Sequence, residues 1–161
     1  MKKFAISLIV ALLVVSATAA QGNSFLEVNK MVGVSGPFTG STNPIRGVSG
    51  AGLNWRVTSA NVELSRQGQL EVEVRGLVLD DARAGALNHT NPLPNFRASV
   101  NCQVIDSAGQ PGVVNVSTTD FPATTTGNAR IEQKLILPAH CFAPIVFVTT
   151  STGSWLSVTG F

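Results

Sequence analysis

Three observations predict an all-β fold, a single antiparallel β-sandwich or Greek-key barrel of about seven or eight short strands. Leu70, Val72 and Val74 alternate strictly with Glu71, Glu73 and Arg75, the period-2 pattern of a half-buried strand. Clusters of Gly, Pro, Asn, Asp and Ser interrupt the chain at short intervals, as turns between strands do. No segment carries a sustained 3.6-residue apolar period, so no amphipathic helix is expected.

The chain opens with a different kind of signal. Met1-Lys2-Lys3 is a short basic start, Phe4 through Val15 is almost wholly apolar, and Ala17-Thr18-Ala19 is a small-x-small cleavage site. That order reads as a secretory signal peptide over residues 1–20. The apolar run is shorter than the roughly 20 residues a membrane span needs. Cleavage after Ala19 or Ala20 leaves a single secreted domain, residues 21–161, for an oxidising extracellular or periplasmic space. No cysteine follows the cut, so no lipoprotein anchor is expected, and no membrane insertion after cleavage.

Residues 21–53 are rich in Gly, Ser and Asn, with one apolar stretch at Phe25-Leu26-Glu27-Val28. They read as loop around one strand, with 21–45 partly irregular. From Trp55 to Ser65 a strand is expected. Arg66-Gln67-Gly68 turns it into the alternating segment Leu70 to Arg75, which Leu77-Val78-Leu79 extends into a more buried end. Asp80 to Asn95 reads as a long loop, with Pro92 and Pro94 against regular structure. Phe96, Ala98, Val100, Cys102 and Val104 then share one strand face. Strands follow at 113–118, 129–137, 143–150 and 154–159. The unbroken Ile145-Val146-Phe147-Val148 places the third of these in the middle of a sheet.

The charge balance removes two classes of partner. Eleven Lys and Arg face nine Asp and Glu, but Lys2 and Lys3 lie in the signal segment. The mature part therefore holds nine of each and is neutral. Neither nucleic acid nor an anionic membrane surface is an expected partner. Charged residues make up 12% of the chain, against about 25% in ordinary globular proteins, so Ser, Thr, Asn and Gly carry the surface polarity.

Cys102 and Cys141 are an even pair in an exported chain and predict one disulfide. Closing a loop of about 40 residues contributes about 4 kcal/mol in the chain-entropy model. Two separate thiols or half a metal site are the competing readings, but no Cys-x-x-Cys or His-x3-His spacing accompanies the pair. No metal or cofactor is expected.

Candidate contact residues are few. Trp55 and Trp155 could each stack on a sugar ring if exposed, and core packing is the competing reading. His89, in the long loop near Asp80 and Asp81, is the one histidine placed for a Ser-His-Asp hydrolase. No G-x-S-x-G elbow supports it, since Gly47-Val48-Ser49-Gly50-Ala51 lacks the last glycine. His140, beside Cys141, reads as packed or capping. Glu71 and Glu73 read as the solvated side of their strand rather than a glycosidase pair. Asp80-Asp81 reads as the start of a loop rather than a calcium site. Asn88-His89-Thr90 and Asn115-Val116-Ser117 are glycosylation sequons.

Several segments resemble known sequences. Arg46-Gly47-Val48, Gly52-Leu53-Asn54-Trp55, Gly68 to Leu77, Asn91-Pro92 and Phe96-Arg97-Ala98 with Cys102 resemble a group of uncharacterised exported bacterial proteins. Gly68 to Leu77 is also similar to the G-x-L-x-V-x-V-x-G-L strand of chordin-type (CHRD) repeats, and Gly109 to Val114 echoes their later Gly-Pro-Val segment. The resemblance implies a superoxide-dismutase-like Greek key, with an immunoglobulin-like sandwich as the other arrangement, and implies no metal site. The expected function is non-catalytic: binding of an unknown extracellular ligand, carbohydrate or cell surface, through loops 80–95 and 119–128 and the tryptophans. The alternatives are a small hydrolase using His89 and a structural component of an envelope or matrix.

Overall fold

A computed structural model describes residues 24–160. The signal-peptide reading therefore lies outside the described residues. Among these, two antiparallel sheets face each other across one core. The first holds β1 (Ser24–Val28), β4 (Ser59–Ser65), β5 (Gln69–Arg75) and β10 (Ala129–Lys134), in that spatial order. The second runs β2 (Val32–Gly33), β12 (Trp155–Val158), β11 (Phe142–Thr149), β7 (Asn95–Ile105) and β8 (Pro111–Ser117). β9 (Phe121–Pro122) also pairs with β7, and β3 (Trp55–Arg56) pairs with β6 (Val78–Leu79) as a small separate ribbon.

The described strands number 12, above the expected seven or eight. The excess comes from β2, β3, β6 and β9, each two residues long. Eight strands are longer, and these are the strands that alternation can reveal. The expected strand from Trp55 to Ser65 is broken by Val57-Thr58. The Thr58 N–H donates to Arg75 O at 3.0 Å, so β4 starts one residue later, and Trp55 is left to pair with Leu79.

Counting only the longer strands, the first sheet has the order 1-2-3-6 and the second 5-4-7-8. The chain crosses between sheets after the third strand and returns beside it, a Greek-key connection. An immunoglobulin domain pairs its strands A-B-E-D and C-F-G. That arrangement does not describe this chain, whose first three long strands are consecutive neighbours.

The core follows from the alternation. Ala60, Val62, Leu64, Leu70, Val72, Val74 and Ile131 face inward from the first sheet and are buried. Phe96, Ala98, Val100 and Cys102 meet them from β7, with Val146 and Val148 opposite Val100 and Ala98 on β11. Cys102 is bonded to Cys141 with 4.8 Å between Cα atoms. The bridge ties a central strand to the turn entering β11.

Apolar burial is not confined to the space between sheets. Phe147 lies opposite Ser99 and so projects from the other face of the second sheet, yet it is fully buried. Residues 34–51 cover it. This segment, read from the sequence as loop, is pinned to β12 by Val34 N–H to Leu156 O (2.8 Å), Ala51 N–H to Trp155 O (2.9 Å) and Trp155 N–H to Ser49 O (2.9 Å). Gly50 lets the segment fold on itself, since a Cβ there would lie 2.1 Å from Phe38 O.

Candidate functional site

Trp55 and Trp155 are 5% and 2% exposed. Neither can offer a flat face to a sugar. This corrects the stacking-platform expectation: Trp155 lies where residues 49–51 bond to β12, and Trp55 packs into the core beside Phe96. Trp155 packs against Phe147 with ring centroids 6.1 Å apart, and Trp55 meets Phe96 edge to face at 6.4 Å. The Trp155 Nε1 is the one buried side-chain nitrogen or oxygen without a hydrogen-bond partner among the described residues.

His89 stands at the surface with φ of 64°. Its Nδ1 is 3.5 Å from Asp80 Oδ1, and Arg56 Nε approaches the same oxygen at 4.0 Å. The second ring nitrogen is 3.4 Å from Asn88 Nδ2. Among the described residues no hydroxyl is hydrogen-bonded to the ring, so an Asp-His pair exists without a nucleophile. Asp81 is structural. Its carboxylate accepts from Asn54 N–H (3.1 Å), Arg83 N–H (3.0 Å) and the Arg83 guanidinium (2.6 Å). The Arg83 contact first, and the Asn54 amide next, hold this carboxyl far below the usual carboxylate range. Among the described residues no group of three or more His, Cys, Asp or Glu side chains is placed to hold a metal ion.

A different surface gathers polar side chains. On the outer face of the second sheet a groove of about 350 Å³ is lined by Ser49, Ser99, Asn115, Ser117, Thr149 and Thr152, with Gly47, Val48, Gly153 and Ser154. Its floor and one wall come from the β7–β8 pair, where Ser99 faces Ser117 and Asn101 faces Asn115. The facing side chains are hydrogen-bonded, Ser117 Oγ to Ser99 Oγ at 3.1 Å and Asn101 Nδ2 to Asn115 Oδ1 at 2.6 Å. The opposite wall is the 47–49 segment and the turn before β12.

Both ends of this face are braced. At the Asn101 end, Arg46 Nη1 donates to Ala143 O (2.7 Å) and Asn101 Oδ1 (3.3 Å). Arg46 and Ala143 both hold left-handed φ, 47° and 40°, a conformation that costs of order 1 kcal/mol or more and tends to gather at functional surfaces. At the Arg97 end, Asp120 Oδ1 accepts from Arg97 Nε (2.5 Å) and Ser151 Oγ (2.9 Å). Arg97 first, then Ser151, holds the Asp120 carboxyl low. The ion pair thereby anchors the turn carrying Thr152 and Ser154.

The lining contains hydroxyls, amides and backbone but no carboxylate, imidazole, thiol or cation. It offers hydrogen-bond donors and acceptors without a group that titrates near neutrality. Its volume is at the small end of ligand clefts, about 300–1,000 Å³. Sequence reasoning missed it because its residues come from four separated stretches. One signal was present: if Ala98, Val100 and Cys102 face inward, then Ser99 and Asn101 face out.

Comparison with family models, with curated proteins and with solved structures returned no match to this chain.

Proposed function

We propose that this protein is a secreted, non-catalytic binding domain whose groove on the second sheet takes an uncharged polyhydroxylated ligand, a short stretch of carbohydrate. The observation that carries this reading is the lining itself: seven hydroxyl and amide side chains and no charge. Such a surface hydrogen-bonds sugar hydroxyls as donor and as acceptor, and it gives an anionic ligand no counter-charge. Secretion is supported by the signal-like start and by the Cys102–Cys141 disulfide. The Greek-key strand order supports the resemblance to chordin-type repeats at the level of fold.

The test is retention of the purified disulfide-bonded protein on a panel of neutral polysaccharides and cell-wall preparations. Asn115→Ala and Thr152→Ala, both exposed positions, are expected to abolish retention. His89→Ala is expected to bind as wild type. Equal retention of all three variants, or no retention on any neutral polysaccharide, overturns the reading.

A second reading, a structural envelope or matrix component, is favoured by one observation: β8 is a long exposed edge strand. The hydrolase alternative gains nothing, since among the described residues no hydroxyl is hydrogen-bonded to the His89 ring.

A further inference from the structure

β8 borders the second sheet, and among the described residues its free side meets no other strand. Six of its seven residues are exposed. Its pairing with β7 is regular from Ser99↔Ser117 to Ile105↔Pro111. Hydrogen-bonded and non-bonded pairs alternate in such a ladder. Bonds from Thr118 N–H to Ala98 O and from Asp106 N–H to Gln110 O fix the phase at both ends. It follows that Gly112, Val114 and Val116 turn their amides and carbonyls to β7. Val113, Asn115 and Ser117 turn theirs outward, together with the carbonyl of Pro111.

Natural proteins guard such edges with charges, prolines or bulges. Here no residue from Ser107 to Thr119 is charged, and Pro111 alone lacks an N–H. Val113 and Val114 of this strand are exposed, and two further exposed apolar side chains lie close by on β7 and β11. Ile105 and Phe142 are 50% and 51% exposed and line a shallow depression of about 430 Å³ with Pro111 and Val113.

We propose that β8 is a homodimerisation edge, on which two copies of this chain pair β8 to β8, antiparallel, about a two-fold axis at Val114. Val114 is the centre of the strand, so this axis pairs all seven residues. Val113 then exchanges both backbone bonds with Asn115 of the second copy, and Ser117 N–H reaches its Pro111 carbonyl. About six backbone hydrogen bonds form across the axis. The second copy is the favoured occupant on charge. Self-pairing sets no like charges opposite each other, and residues 24–160 carry nine cations and nine anions, so two copies do not repel at long range. The axis stands perpendicular to the joined sheet and brings both grooves to the same side. The inference does not rest on what the groove binds.

The test is sedimentation equilibrium of the disulfide-bonded protein over a wide concentration range, with two variants. Wild type is expected to dimerise. Val114→Lys sets two ammonium groups opposite each other and is expected to weaken dimerisation at least about tenfold, with the monomer's circular dichroism unchanged. Val114→Cys is expected to form an intermolecular disulfide under oxidation, whereas Glu132→Cys, on the other sheet, does not. If Val114→Lys fails to fold, the cross-link decides alone. A wild-type protein that stays monomeric at millimolar concentration overturns the proposal. So does a dimer in which Val114→Cys fails to cross-link.

Discussion

Replacing both Cys102 and Cys141 by alanine removes the covalent tie between β7 and the turn before β11. The sequence separation is 39 residues, and opening a loop of that size costs about 4 kcal/mol through the wider unfolded ensemble. Cys102 is fully buried on the core side of β7, so loss of its sulfur adds a small packing cost. A domain of this kind has about 5–15 kcal/mol of total stability, so the bridge carries a large share. At this chain length the melting temperature is expected to fall by about 12–20 °C. Thermal and urea unfolding followed by far-UV circular dichroism measure it. The urea m-value is expected to rise, because the uncrosslinked chain exposes more surface when unfolded. The native spectrum should not change, since the β7–β11 pairing does not need the bond. A melting temperature within about 3 °C of wild type refutes the argument that the bridge acts on the unfolded state.

Three further outcomes are expected. Asp81 and Asp120 have folded-state pKa values held below their unfolded values by Arg83 and Arg97. Their contribution is therefore present above about pH 4 and lost as pH falls below it. Urea titrations should show stability level from pH 7 to about 5, then falling, with a shallower fall in Asp81→Asn; identical acid limbs would count against it. Gly127 has φ of 75°, and a Cβ there would lie 2.2 Å from the backbone oxygen of Leu77. Gly127→Ala should therefore cost about 2 kcal/mol or more in unfolding free energy, and a loss under about 0.5 kcal/mol is incompatible with that contact. Both tryptophans are buried, so a soluble quencher should reach their fluorescence only on unfolding, and Trp155→Ala should cost about 3–5 kcal/mol. Efficient quenching of the native protein would contradict the burial.

Much of the fold was legible in local pattern. The 69–75 strand and its turn at Gly68 were readable because each residue there obeys the alternation of a strand with one wet face. The central position of 142–149 was readable from its unbroken apolar run. The disulfide followed from an even pair of cysteines behind a signal-like start. The two-residue strands were not legible, because two residues show no period. The order of residues 34–51 was not legible either. Its backbone bonds go to β12, more than a hundred positions away, and Gly, Ser and Asn give no local sign of that partner.

The site divides along the same line. The chain alone determined that Ser99 and Asn101 share a face opposite Val100 and Cys102, because the pleat reverses at every residue. It also determined the neutral balance of residues 21–161 and the uncharged stretch from Ser107 to Thr119. Only the tertiary structure decided that this face has walls, that Phe147 and Trp155 are sealed beneath residues 34–51, and that β8 pairs with β7 on one side and ends the sheet on the other. Whether a tryptophan meets solvent or an edge meets another strand depends on contacts between distant segments. Hydrophobicity and alternation report which residues seek burial, but not which segment arrives to cover them.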